Sequence, residues 1–251
     1  MGLVEIPTYS LLAAIVLASV YGSRIGAREV EAERFWSRRR WVSAAAGVSV
    51  AYVFVDVLPE LAAQNRAVIE AAGEAGLLFA EQRVYVLALA SFVVMYGLEY
   101  MVLAARGQRS SVVEEGVRDR IYRLHLAGFA VYSALIGYLL VERAERDIGA
   151  LVIYTLAMAL HFVIVNHSLN EEHGRAYRRG GHWWLAASVL VGWAAGALSP
   201  LSEAAFARLF ALLAGGVVIT SLKAELPDDR KGRFWPFCLA ALVFAFLLIL
   251  A

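Results

Sequence analysis

Apolar positions along this chain fall into eight long continuous runs, at residues 8–27, 41–61, 84–105, 121–141, 149–168, 183–199, 204–223 and 234–251. Each is close to the ~20 residues a helix needs to cross the hydrocarbon layer at 1.5 Å rise per residue. A membrane strand barrel would instead show shorter segments alternating polar and apolar with a period of two. In lipid, the helix satisfies its own backbone groups. The pattern therefore predicts an all-α polytopic membrane protein with eight transmembrane helices, forming a single transmembrane domain over residues 1–251. The longest connections, residues 28–40, 62–83 and 106–120, leave no room for a second folded domain. The Ala- and Glu-rich second connection predicts a short helix at the outer face.

Composition agrees: the chain is 61% hydrophobic with a mean hydropathy of +0.63, well above the ~45–50% apolar content of soluble domains. A net charge of +1 says nothing about partners; the lipid bilayer is the partner the composition demands, and no nucleic acid is expected. The placement of charge says more. Eighteen of the 23 Lys and Arg residues follow the first, third, fifth and seventh runs, and only five lie elsewhere. By the positive-inside rule both termini then lie outside the cytoplasm. Trp36, Trp41, Trp183, Trp184 and Trp235 fall at the cytoplasmic ends of their runs, where amphipathic rings favour the headgroup layer. The leader MGLVEIP carries no basic residue, which suits a retained N-out helix better than a cleaved signal. The strong preference for Arg over Lys fits a GC-rich bacterial source, and hence the inner membrane. The lone Cys238 forms no intrachain disulfide.

Polar residues inside the runs are the candidate chemistry, because an ionisable group at membrane depth is costly unless it faces a partner or water. Ser49, Tyr52, Asp56 and Glu60 are spaced to share one helical face that ends at Pro59, and Asp56 with Glu60 reads as an acidic entrance for a cation. Glu99 lies near the inner end of the third run and His125 about a turn into the fourth. His161 is deep in the fifth, and Thr220, Ser221, Lys223 and Glu225 close the seventh. Together they form a polar track from Asp56 and Glu60 outside, through His161, to His125, Glu99 and Glu225 inside. Lys223 reads as an ion-pair partner for Glu99 or Glu225. His167 is turned about 120° from His161 and belongs to the cytoplasmic mouth. His173 and His182, among arginines, are expected in solvent. Gly192–Gly196 and Ser43–Gly47–Ala51 have the small-xxx-small spacing of close helix contacts, within one protomer or across a homodimer. Gly47 to Leu61, through DVLPEL, is echoed by Gly216 to Asp229, through KAELPDD. The echo predicts an inverted 3+2+3 repeat, a layout found in secondary transporters.

These features resemble the ZIP family of divalent-metal transporters: eight spans, termini outside, a second span ending VFVDVLPEL, and His125 and His161 in spans four and five. In that family the fourth span carries H-N-x-x-D/E-G and the fifth H-E-x-x-H. Here Leu126 and Phe129, then Phe162 and Val165, stand where the other ligands would be. The resemblance implies transport of a divalent cation such as zinc, with activity altered or lost where ligands are missing. The metal would be cargo, with no resident cofactor and no catalytic residue. Its candidate ligands are His161, His125, Asp56, Glu99, Glu60 and Glu225. A membrane-embedded zinc hydrolase of lipid amides or esters is the alternative. A non-transporting scaffold or sensor, with its buried polar groups paired to fix helix register, is a third.

Overall fold

The computed structural model describes residues 5–23, 38–72, 83–107, 115–199, 201–225 and 234–250. Every apolar run forms a helix. In chain order these are α1 (Glu5–Gly22), α2 (Arg38–Tyr52), a π-helical stretch (Val53–Val57), α3 (Leu58–Ala72), α4 (Arg83–Gly107), α5 (Glu115–Arg146) and α6 (Ile148–His173). A second π-helical stretch (Tyr177–Gly181) leads to α7 (His182–Leu198), followed by α8 (Glu203–Glu225) and α9 (Phe234–Leu250). Five segments are long and apolar enough to cross a membrane: Arg40–Arg66, Arg83–Ala105, Gly116–Arg146, Ile148–His173 and Glu203–Lys223. α1 and α9 are shorter apolar helices.

The expected stop at Pro59 does not occur. α2 runs through the π-helical stretch into α3 and stays helical to Ala72, so the helix expected in this connection is, over residues 62–72, a continuation of α2; residues 73–82 lie outside the described residues. The physical reason is local. A proline in a regular helix loses a hydrogen bond and clashes with the carbonyl four residues back. A wider π turn immediately before it takes up that misfit.

α5 packs along α7, α2 along α9 and α4 along α8, while α1 lies against α6 and α7. Glycines allow the closest approaches. A Cβ at Gly192 would stand 1.9 Å from the Ala134 carbonyl oxygen, and one at Gly137 would stand 2.1 Å from that of Val189. α5 and α7 therefore touch backbone to backbone. Gly47 meets Phe237 O of α9 at 2.3 Å by the same measure, and Gly215 meets Ala88 O of α4 at 2.0 Å. Both small-residue stripes are thus used within one chain. α5 and α6 are joined through Asp147 alone, whose side chain accepts the Ala150 N–H at 3.1 Å and caps α6. Gly174 ends α6 with φ of 51°, a conformation natural only to glycine.

Val86, Leu89 and Val93 on α4 and Leu242, Phe246 and Ile249 on α9 are exposed apolar residues on the outside of the bundle, as lipid-facing positions should be. Trp41, Trp183, Trp184 and Trp235 are exposed at helix ends. Trp36 lies outside the described residues. Trp193 is turned inward, and its indole N–H donates to Ser10 Oγ at 3.0 Å.

Candidate metal centre

One end of the bundle, where α5 begins and α6 ends, gathers ionisable side chains from four helices. His125 of α5 is fully buried. Its Nδ1 lies 2.8 Å from His173 Nε2 and 3.7 Å from Glu172 Oε2, both at the end of α6. Its Nε2 lies 3.4 Å from Glu99 Oε1 on α4 without making a hydrogen bond. Glu172 Oε2 is likewise buried without a hydrogen-bond partner. The Lys223 ammonium, from α8, donates to both Glu99 Oε2 and Glu172 Oε1. Ser168 Oγ also donates to Glu172 Oε1, at 2.9 Å. Among the described residues, His125, Glu172 and His173 form a group whose ligand atoms all lie within 4.8 Å of one another.

This donor set fits a borderline cation. Two imidazoles and a carboxylate are ordinary zinc ligands, with bonds of about 2.0–2.2 Å. Tetrahedral geometry at those lengths separates two ligand nitrogens by roughly 3.3 Å, so the two histidines need part by only about half an ångström from the 2.8 Å they keep here. Charge points the same way. Two carboxylates against one ammonium leave a deficit of one positive charge among apolar helices, which a proton on either histidine or a bound cation would fill.

His161 belongs to a different site. It is fully buried in the middle of α6, where Ser49 Oγ lies 2.8 Å from its Nδ1, and Tyr132 OH (2.8 Å) and Thr220 Oγ1 (3.2 Å) lie near its Nε2. Ser49 Oγ continues to Ser221 Oγ at 2.6 Å. Both ring nitrogens are therefore occupied by hydroxyl partners from α2, α5 and α8. Between His161 and His125 stand the rings of Tyr132 and Phe129, in edge contact with one another and with the two histidines. Phe129 has no hydrogen-bonding group, so no hydrogen-bond chain runs along these rings from one histidine to the other.

Asp56 and Glu60 lie toward the opposite end of α5, and neither is an open acid. Arg143 donates to Asp56 Oδ2 at 3.4 Å and Arg146 to Glu60 Oε1 at 3.0 Å. Gln64 also donates to Glu60, at 2.8 Å, and Arg146 pairs with Glu142. The Arg143 guanidinium is buried, 5.6 Å from the Tyr154 ring centre and 5.9 Å from that of Phe210. A cavity of about 360 Å³ opens beside this pair, lined by Tyr52, Asp56, Arg143 and Tyr154 among others. The residues expected to form one continuous track thus fall into three groups: His125 with Glu99, His161 with hydroxyls, and Asp56 and Glu60 with arginines. Glu225 is the last residue of α8, and its side chain lies outside the described residues.

Glu172 and His173 are the members that sequence reasoning missed. The arginines that follow placed His173 in solvent; it is half-buried instead, packed on the rings of Tyr122 and His125. A signal was present in the spacing: Glu172 follows His161 by 11 residues, three helical turns to within about 20°, and so continues the inward face. The turn beyond α6 is fixed in part by Tyr177, whose hydroxyl donates to Asn166 Oδ1 at 2.8 Å. Burial pushes that phenol's pKa up, so it keeps its proton. The expectation for Lys223 agrees with its pairing to Glu99; its second partner is Glu172.

No family model, curated protein or solved structure matches this chain.

Proposed function

We propose that this chain is an eight-span carrier of a divalent metal cation, similar to the ZIP family, in a bacterial inner membrane with both termini outside the cytoplasm. The ion is taken by His125, Glu172 and His173, with Glu99 beside them. The observation that carries this reading is the convergence of His125, Glu172 and His173, from two apolar helices, with ligand atoms within 4.8 Å of one another and Glu172 Oε2 making no hydrogen bond. The charge asymmetry of the loops supports a site at the cytoplasmic end. Asp56–Arg143 and Glu60–Arg146 then act as clasps at the outer end, and transport requires them to part.

Packing favours the inverted 3+2+3 repeat that such a carrier would use. If α1, α2 and α4 are matched in order with α7, α8 and α9, the α2–α9 contact becomes the α8–α4 contact, and α5–α7 becomes α6–α1. The close glycines follow the same exchange: Gly47 meets α9 and Gly215 meets α4. Gly47 stands 11 residues before the Leu58–Pro59 pair and Gly215 stands 11 before Leu226–Pro227, which moves the echo noted in the sequence by one residue.

The test is Zn²⁺ or Co²⁺ uptake into proteoliposomes. His125→Ala and Glu172→Gln should each reduce the flux at least about ten-fold, the loss of one charged or coordinating contact. Flux that survives both changes sinks the reading. A second reading, an intramembrane zinc hydrolase, is favoured by the same three-ligand set, since such a set leaves a fourth tetrahedral position open. The two differ in exchange: carried metal should leave the folded protein on dialysis against a chelator, and a resident ion should stay until denaturation.

A further inference from the structure

We infer that Lys223 is a tethered cation, anchored on Glu99, that competes with the metal for Glu172 and so keeps the site releasable. The inference rests on the proposed metal site and concerns how that site lets go of its ion. Glu99 Oε2 and Glu172 Oε1 both accept from the Lys223 ammonium. Glu172 is the carboxylate divided between two cation positions: its Oε2 lies 3.7 Å from His125 Nδ1, the nitrogen that meets His173 at 2.8 Å. Glu99 Oε1 lies 3.4 Å from His125 Nε2, on the other edge of the ring. One cation position is thus filled by a side chain of the protein. The other is bounded by His125 Nδ1, His173 Nε2 and Glu172 Oε2, and Glu99 acts on it through its charge.

Charge decides what this does to binding. With Lys223 in place the two carboxylates and the ammonium sum to −1, so a divalent ion leaves the site at +1. Without the ammonium the carboxylates sum to −2, and the same ion makes the site neutral. The ammonium and the metal also repel each other across a few ångströms in a medium with few compensating dipoles. Lys223 can yield, because its side chain is 28% exposed while those of Glu99 and Glu172 are only 8% exposed. Its flexible stem lets the ammonium swing toward the headgroup layer as the metal arrives. It returns to both carboxylates as the metal leaves. A rigid ion pair that only locks helix ends would not behave in this way.

The experiment is Co²⁺ binding to the purified full chain in nanodiscs, followed by its visible absorption. Lys223→Ala and the similar-sized Lys223→Met should bind Co²⁺ at least about ten-fold more tightly than the wild type, a modest yield for removing a unit charge a few ångströms from a divalent ion. Lys223→Arg should stay near the wild type. In proteoliposomes the neutral variants should show a lower KM together with a lower maximal rate, because release slows. Equal or weaker Co²⁺ binding by both neutral variants overturns the inference and leaves the transport reading standing. Binding by the variants but not by the wild type overturns the inference, since a site that Lys223 keeps closed has no ion to release, and removes the transport reading. Absence of binding in all of them removes both. A measurement on the unaltered protein covers the case in which the variants fail to fold. Lys223 and Lys231 are the only lysines in the chain, so reductive methylation read by mass spectrometry reports on each. Co²⁺ should speed methylation of Lys223 relative to Lys231, and an unchanged or slowed rate at Lys223 refutes displacement.

Discussion

Gly192→Ala is the sharpest test of the packing that holds α5, and with it His125, in place. Ordinary van der Waals contact begins near 3.4 Å, and the new Cβ would lie 1.9 Å from the Ala134 carbonyl oxygen and 2.6 Å from its carbon. The obstacle is backbone, so no rotamer change relieves it. α5 and α7 would have to separate locally by about 1.5 Å, the difference between the 3.4 Å of ordinary contact and the 1.9 Å to the carbonyl oxygen. That separation also breaks the neighbouring contacts of Gly137 with Val189 and Gly196 with Tyr138. Overpacking of a tight core costs about 1–3 kcal/mol, and a backbone clash shared along a helix pair belongs at the upper end. For a chain of this size, about 2–3 kcal/mol lowers the thermal midpoint by roughly 4–12 °C. The assay is thermal unfolding of the detergent-solubilised protein, followed by tryptophan emission and by loss of the monodisperse chromatographic peak. Gly97→Ala is the control. A Cβ there meets nothing within 4 Å, so the helix propensity of alanine should leave stability unchanged or raise it by up to about 1 kcal/mol. If Gly192→Ala melts within about one degree of the wild type, the backbone contact between α5 and α7 is wrong.

His161→Ala should cost about 2–5 kcal/mol, since it leaves buried Ser49, Tyr132 and Thr220 hydroxyls without their shared partner and opens a cavity. It should leave the amount of Co²⁺ bound per chain unchanged; loss of metal with an unchanged melting point would instead make His161 a ligand. Arg143→Met should destabilise by about 1–3 kcal/mol, less than a fully buried pair because the Asp56 side chain is 26% exposed. Adding Asp56→Asn should recover most of that loss, and a double-mutant cycle with no coupling would show that the two groups do not pair.

The axial organisation of this protein was legible in its sequence. Eight apolar runs become helices at nearly the expected positions, because the thickness of the hydrocarbon layer and the cost of unsatisfied backbone groups set helix length directly. Glu99, His125 and Lys223 were expected at one level, and they meet there. Their distances from the ends of the runs fix how far along each helix axis they lie.

Rotation about those axes was decided only by the tertiary structure. In a soluble helix a polar stripe marks the outside. Here the lipid side and the packed side are both apolar, so composition does not say which way a side chain points. For that reason Asp56 and Glu60, read as an open acidic face, turn out to be matched by Arg143 and Arg146. His161 is surrounded by hydroxyls from three other helices, and His173, expected in solvent, joins Glu172 in the group around His125. The π turn before Pro59 changes the helical phase ahead of Glu60, yet Asp56 and Glu60 still both meet α5, at Arg143 and Arg146 one turn apart. Depth follows from hydrophobicity, which the sequence carries residue by residue. Facing follows from which backbones can touch, and Gly47, Gly137, Gly192 and Gly215 settle that only once their partner carbonyls are in place.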